Sequence, residues 1–222
     1  DEHAISYANA QFPIEKIKII EAKATLKKII KFKKGGSLLE LGCGGGAFLA
    51  EARNFGFEPY GIELNPIECK WITSRLRIPC ETKSLNNGSF GGKMFNIIYH
   101  RDVLSHLYDP IKSFHDMNNA LQPNGLLVFE TGNIADIDKN YYKLFTNFAY
   151  PDHLFFYGER SLKMLLKKTG YTIIYIYREN LILHLILQKA LWFCRNAFSN
   201  KDSSNITKHQ DKIYENGSTP IK

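Results

Sequence analysis

Apolar residues along most of the chain recur either in short continuous runs or at the spacing of one helical face. The helical spacing predicts helices over Pro13–Phe32, Ala47–Asn54, Pro66–Leu76, Pro110–Leu121 and Glu159–Thr169. The short runs predict strands over Ser37–Leu41, Glu58–Leu64, Ile78–Glu81, Phe95–Tyr99, Gly125–Thr131 and Tyr171–Tyr177. Helices that alternate with continuously apolar strands predict a parallel sheet covered on both faces.

Three later segments fall outside this alternation. Residues 140–157 are rich in Tyr and Phe without a regular period, which is typical of a functional loop after a central strand. Leu181–Leu187 fits either a final edge strand or the start of an apolar helix that is too short to span a bilayer. The apolar stretch 181–193 raises the hypothesis of peripheral membrane contact or a lipid-linked acceptor. From Ser199 onward the polar sequence predicts a disordered tail.

The length of 222 residues suits one α/β domain with a sizeable core. We expect an N-terminal helical cap over 1–34, the main domain over 35–198 and the tail over 199–222. The four cysteines form no CxxC pair and no Cys/His ligand spacing, so neither a metal site nor a disulfide framework is expected. Free thiols and an N-terminus without an apolar signal run favour a cytoplasmic protein.

The net charge of +7 raises the question of a nucleic-acid partner. The densest basic run, residues 16–34, interleaves lysines with isoleucines and leucine. That spacing is typical of the solvated face of an amphipathic helix, which we favour over a phosphate- or membrane-facing patch. Since no nucleic-acid module accompanies it, we expect a small-molecule partner rather than nucleic acid, and oligomeric state is not predicted.

A glycine-rich turn follows the first predicted strand in the stretch LLELGCGGGAFLAEARNFGFEPYGIELN, residues 38–65. Gly42, Gly44 and Ala47 fit the dinucleotide-binding pattern, and Glu63 lies where an acid could bind a ribose diol. These residues alone do not exclude NAD as the ligand. Glu40, two residues before the first glycine, would repel a pyrophosphate and attract an amine and a sulfonium. The sign of that charge favours S-adenosylmethionine.

Five segments between Gly36 and Tyr177 carry the motifs of one family: LLELGCGGGAF, YGIELN, FNIIYHRDVLSHLYDP, NNALQPNGLLVFET and PDHLFFYGERSLKMLLKKTGY. In order and spacing, the chain resembles the class I S-adenosylmethionine-dependent methyltransferases, in particular the small-molecule branch that includes ubiquinone-type O-methyltransferases and sugar methyltransferases. The resemblance implies a Rossmann-like three-layer α/β sandwich. Its seven-stranded, mostly parallel sheet would end in an antiparallel strand, with Tyr171–Tyr177 paired to Leu181–Leu187.

The resemblance also implies which residues bind S-adenosylmethionine. They are Glu40, Gly42, Cys43, Gly44, Gly46, Glu63, Leu64, Ser84, Leu85, His100 and Arg101. Glu40 and the glycine turn would hold the methionine part, Glu63 the ribose hydroxyls, and Leu64 would lie along the adenine ring. His100 and Arg101 would lie near the methionine end.

Two positions depart from the family pattern. The acid that usually receives the adenine amino group is replaced by the run CETKSLNNGSF, which offers Glu81, Thr82 or Ser84 instead. Ser105 stands where the family's vlEHl segment has an acid, while His106 remains. The adenine contact is therefore left open among these residues.

Methyl transfer from a sulfonium requires that the acceptor be held at attack distance and lose its proton. His153 is the first candidate base and His106 the second, because imidazole titrates near neutral pH, although each also fits a structural role. We expect transfer to a small-molecule acceptor, with a hydroxyl of a sugar, a quinone-like ring or a secondary metabolite leading. RNA methylation and a non-catalytic cofactor-binding subunit are the alternatives, and no metal is expected.

Overall fold

The computed structural model describes residues 15–140 and 153–178. The helices are α1 (Glu15–Ile29), α2 (Ala47–Asn54), α3 (Pro66–Trp71), α4 (Pro110–Ala120) and α5 (Glu159–Lys168). The strands are β1 (Gly36–Leu41), β2 (Phe57–Ile62), β3 (Cys80–Glu81), β4 (Phe95–Arg101) and β5 (Leu121–Glu130). A π-helical turn over Ile72–Leu76 extends α3, and 3₁₀ turns cover Ser89–Gly92, Leu104–His106 and Ile134–Asp136. Each helix and strand corresponds to a predicted one, but α3 ends at Trp71 instead of Leu76 and β5 begins at Leu121 instead of Gly125.

The five strands form one parallel sheet in the order β3-β2-β1-β4-β5. Glu40 near the end of β1 is in register with Gly61 of β2 and Tyr99 of β4. The order of strands reverses between β1 and β4, and such a reversal opens a crevice at the carboxyl ends of the two strands. The predicted Rossmann-like α/β fold with a parallel sheet is confirmed.

The structure corrects the expected seven strands with an antiparallel last strand, because the sheet of the described residues has five strands, all parallel. Residues 171–177 make no strand pairing within the described part of the chain. A strand is defined by its ladder with a neighbour, and the expected neighbour, Leu181–Leu187, lies outside the described residues. The apolar stretch 181–193, the tail from Ser199 and most of the aromatic segment 140–157 also lie outside them.

The hydrophobic core has two parts, one on each face of the sheet. On one face α1 buries Ala22, Leu26 and Ile29 against β1 and α2. On the other face lie Phe95, Phe114, Met117, Leu121 and Leu165, from β4, α4, β5 and α5. The elements listed above all belong to the first of two compact units, residues 1–173 and 174–222.

Two lysines of α1 lie away from its buried stripe. Lys23 and Lys27 are exposed, and Lys23 pairs with Glu51 of α2 at 3.8 Å. This arrangement is that of a solvated helix face. In the described ranges, no helix combines the length and the apolar character needed to cross a bilayer.

Gly61 of β2 lies beneath the glycine turn, where a side chain does not fit. A Cβ there would lie 2.8 Å from Cys43 Sγ and 2.9 Å from Leu49 Cδ1. We expect Gly61→Ala to lower the free energy of unfolding by about 1–3 kcal/mol, because overpacking displaces these neighbours. Gly45→Ala is the matched control, since a Cβ there meets nothing within 4 Å. Urea denaturation followed by circular dichroism measures both, and equal losses would contradict the steric explanation.

Candidate active site

The turn between β1 and α2 exposes backbone at the carboxyl edge of the sheet. Gly42, Gly44 and Gly46 have φ angles of 68°, 50° and 80°, the left-handed region that favours glycine. The N–H groups of Gly42 and Cys43 donate to the Ile62 carbonyl oxygen at 2.8 and 3.4 Å, so the turn folds over the end of β2. Within the turn Gly42 is exposed, Gly44 and Gly45 are half-buried and Gly46 is buried.

Glu63 ties this turn to the segment that follows β2. Its Oε2 accepts a hydrogen bond from the Gly44 N–H at 2.8 Å, and its Oε1 accepts one from the Asn65 N–H at 2.8 Å. Each carboxylate oxygen retains a second lone pair, so Glu63 can also accept hydroxyl donors from a ligand. Leu64 beside it is 67% exposed and offers an apolar surface for a flat ring.

Glu40 is buried near the end of β1. Its Oε2 finds no hydrogen-bond partner among the described residues. Burial, followed by the charge of Glu63, raises the pKa of Glu40 well above its usual value, whereas the charges of Lys18 and Arg101 act in the opposite direction. A buried carboxylate without a full set of partners is costly, and a cation bound beside it would lower that cost.

Glu68 in α3 is a third carboxylate at the turn, and sequence reasoning missed it. It is 1% exposed, and within the described chain neither of its oxygens has a hydrogen-bond partner. A Cβ on Gly44 would lie 3.8 Å from its Oε1, and burial together with the charge of Glu63 raises the pKa of Glu68. A signal was available, because a helix that starts at Pro66 places an acid in its first turn at the strand ends.

Arg101 at the end of β4 belongs to a polar network with α1. Its Nη1 lies 2.7 Å from Glu21 Oε2, and its Nε lies 3.7 Å from Glu130 Oε2. The hydroxyls of Thr25 and Tyr99 donate to Glu130 Oε1 at 2.6 and 2.9 Å. These contacts connect α1 to the carboxyl ends of β4 and β5.

His100 lies on the opposite face of the sheet from this network. Its ring is fully buried, stacks on Phe129 at 5.2 Å between centroids, and meets the edge of Phe114 at 6.0 Å. Its register partner is Leu41, whose side chain packs in the same core cluster. The structure therefore places the His100 side chain away from the face that carries Glu40.

The two candidate bases lie side by side. The ring centroids of His106 and His153 are 4.8 Å apart. The chain after His153 is held by the Ser105 carbonyl oxygen, which accepts from the N–H groups of Leu154 at 2.8 Å and Phe155 at 3.4 Å. His153 Nδ1 is buried and lacks a hydrogen-bond partner in the described part of the chain. An imidazole pair at the carboxyl edge can accept and pass on a proton.

The residues after β3 are only partly available for an adenine contact. Glu81 Oε1 accepts from the Phe90 N–H at 3.0 Å, and its Oε2 pairs with Lys83 Nζ at 3.0 Å. Ser84 is exposed, while Leu85 packs against the core. The adenine-contacting residue therefore stays a prediction.

Comparison with known proteins assigns the family. Residues 17–176 match a family described as a methyltransferase domain, and this match covers more than half of the chain. The chain belongs to that family. The predicted class, a class I S-adenosylmethionine-dependent methyltransferase, is thereby confirmed, and S-adenosylmethionine is the cofactor of that class.

Individual relatives are more distant. Phosphoethanolamine N-methyltransferase 1 of Zea mays is 29% identical over 107 residues, which cover 43% of this chain and 20% of the maize enzyme. The chain thus spans about a fifth of the length of this curated relative. An S-adenosylmethionine-dependent methyltransferase from Thermotoga maritima superposes with a TM-score of 0.59 at 16% identity, covering 77% of this chain and 81% of that one. DesVI of Streptomyces venezuelae superposes with a TM-score of 0.50 at 17% identity, covering 60% of each chain.

The residues at the carboxyl edge fit S-adenosylmethionine chemically. The unpartnered oxygen of Glu40 suits its ammonium or sulfonium, Glu63 suits its ribose hydroxyls, and exposed Leu64 suits its adenine ring. The glycine turn is open at Gly45, since a Cβ there would meet nothing within 4 Å. Across residues 15–140 and 153–178, no group of His, Cys, Asp or Glu is arranged to hold a metal ion.

The buried His100 makes stability depend on pH. Burial lowers the pKa of His100 to about 3 from the ordinary 6.5, so below pH 6.5 the unfolded state binds a proton that the folded state does not. We expect this residue to cost about 2 kcal/mol of unfolding free energy between pH 7 and pH 5. His100→Leu should show a weaker fall in urea midpoint over this range than the unchanged protein. If the urea midpoints of the two proteins fall equally between pH 7 and pH 5, His100 is not the source of the pH dependence.

Proposed function

We propose that this chain transfers a methyl group from S-adenosylmethionine to a nucleophilic oxygen or nitrogen of a small molecule. The observation that carries the proposal is the buried carboxylate of Glu40 beneath the glycine turn, with an oxygen left for a cationic ligand. S-adenosylmethionine, when bound, supplies an electrophilic methyl group on a sulfonium. The chain then has to bind and orient the two reactants and remove a proton.

The turn and its three acids would bind and orient the cofactor. Glu40 would receive a hydrogen bond from the ammonium group, while Glu63 would accept from the ribose hydroxyls without releasing the Gly44 N–H. Glu68 would add negative potential behind Gly44 and so favour the positively charged cofactor over its neutral-sulfur product. This difference in charge would help product release.

His153 would act as the base. Its unpartnered Nδ1 would accept the acceptor's proton, and the neighbouring ring of exposed His106 would pass that proton to solvent. The hydrogen bonds from Leu154 and Phe155 to the Ser105 carbonyl oxygen would hold His153 beside His106. This support from the backbone favours a fixed base over a mobile one.

A hydroxyl of a sugar, a quinone-like ring or a secondary metabolite is the first candidate acceptor. The match to the maize phosphoethanolamine N-methyltransferase favours an amine as the second. Both acceptors lose a proton during transfer, so the same base serves either. Incubation with methyl-labelled S-adenosylmethionine and a panel of sugars, quinols, phosphoethanolamine, amino sugars and RNA tests the choice. Label transferred to RNA alone would overturn the small-molecule proposal.

Replacing the carboxylate at Glu40 tests the cofactor site. Glu40→Gln keeps the shape but removes the charge, so we expect S-adenosylmethionine to bind about tenfold or more weakly. Glu51→Gln is the matched control, because Glu51 is also a buried glutamate but pairs with Lys23 of α1. Isothermal titration calorimetry measures both affinities. Unchanged affinity in Glu40→Gln would refute the role proposed for this carboxylate.

Removing the imidazole of His153 tests the base. His153→Ala should lower kcat by about 100-fold or more with S-adenosylmethionine affinity nearly unchanged, because a general base acts on the acceptor and not on the cofactor. His115→Ala, on the exposed surface of α4, is the control and should retain full turnover. If His153→Ala keeps normal turnover with the best acceptor of the panel, His153 is not the base.

A further inference from the structure

Three thiols converge behind the glycine turn. Cys43 lies in the turn, Cys69 in α3 and Cys80 in β3, and all three are free. An added Cβ on Gly61 would lie 2.8 Å from Cys43 Sγ and 3.3 Å from Cys80 Sγ, so these two sulfurs meet over the same glycine. The absence of a side chain at Gly61 leaves the space in which they meet.

The partners of the three thiols differ in a way that assigns them different roles. A hydrogen bond with Cys43 lowers the pKa of Cys80, and Cys80 is only half-buried. The Cys80 hydrogen bond, followed by burial, raises the pKa of Cys43, whereas burial raises the pKa of Cys69 to about 11. A half-exposed, more acidic thiol beside a protonated one is the arrangement of a redox-sensitive pair.

We propose that Cys80 and Cys43 are a peroxide-sensitive dithiol whose oxidation to a disulfide closes the turn to S-adenosylmethionine, an inference that rests on the proposed function. The Cys80 thiolate attacks a peroxide oxygen, the O–O bond breaks, and a sulfenic acid and hydroxide form. The Cys43 sulfur then attacks the Cys80 sulfur, the S–S bond forms, the S–O bond of the sulfenic acid breaks, and the hydroxyl leaves as water with the Cys43 proton. Overall two thiols and one hydrogen peroxide become one disulfide and two waters.

Geometry explains why this bond would alter cofactor binding. A disulfide brings its sulfurs to about 2.0 Å, closer than any hydrogen-bonded pair of thiols, so both side chains have to rotate toward each other and leave their present contacts. Cys80 is held in the β2–β3 ladder opposite Gly61. The Cys43 thiol would give up its hydrogen bond of 3.5 Å to the Ile62 carbonyl oxygen, which also accepts from the Cys43 N–H at 3.4 Å. Because the Cys43 side chain and the turn backbone share this one acceptor, we expect the linked pair to shift the turn and the N–H groups of Gly42 and Gly44.

The test uses the full chain carrying Cys194→Ala, which removes the thiol outside the described residues. The reduced protein is treated with hydrogen peroxide, and intact mass, peptide mapping and calorimetry with S-adenosylmethionine follow. We expect a mass lower by two hydrogens, a linked Cys43–Cys80 peptide and an affinity about tenfold weaker, all reversed by dithiothreitol. Circular dichroism checks that each variant folds.

Two variants make the assignment specific. Cys80→Ala should bind S-adenosylmethionine normally when reduced and lose its sensitivity to peroxide, whereas Cys69→Ala should keep that sensitivity. A linked Cys69–Cys80 peptide, a mass gain of oxygen without a link, or a disulfide without loss of affinity would each overturn the proposal. If the reduced protein does not bind S-adenosylmethionine, both the proposed function and the proposed effect of the disulfide on cofactor binding fail. Peptide mapping for a Cys43–Cys80 link still shows in that case whether the disulfide forms.

Discussion

The proposed chemistry depends on three acidic residues that the fold places around one glycine turn with few partners for their oxygens among the described residues. Glu40, Glu63 and Glu68 surround one glycine turn, and burial, followed by the charge of Glu63, raises the pKa values of Glu40 and Glu68. Lys18 and Arg101 offset part of this charge at Glu40. The negative charge that these two residues do not offset favours a positively charged ligand. Binding of such a ligand lowers the free-energy cost of the buried carboxylates, which the folded chain already bears. The chemistry proposed for the protein thus begins with an electrostatic imbalance in its unliganded state.

The two faces of the sheet carry different kinds of side chain at its carboxyl edge. On the face covered by α1, Arg101, Glu130 and Glu21 form a network of charges beside the end of β1. On the other face, His100 is enclosed by aromatic rings and contributes to packing. Adjacent residues of β4 point to opposite faces, so His100 and Arg101 have different surroundings although they are neighbours in sequence. A motif that names both residues together does not reveal that difference.

The sequence predicted the position of residues where structure is local. The glycine turn and Glu63 directly follow strands that are recognisable from their apolar runs, and Glu40 lies near the end of one, so their place at the carboxyl edge followed from topology. The pairing of His106 with His153 and the meeting of Cys43 with Cys80 join residues that are far apart in sequence, and periodicity contains no information about such contacts. Glu68 lay between these cases, because its helix was predicted but the direction of its side chain was not.

Glu63 combines two roles that are usually carried by different residues. Its carboxylate holds the Gly44 and Asn65 N–H groups, and it is also the residue proposed to receive the ribose. Any substitution there would change the shape of the turn and the contacts of the ligand at once, so a loss of affinity could not be divided between the two causes. At this position selection for folding and selection for binding act on the same two oxygen atoms, which leaves the residue little freedom to vary for either reason alone.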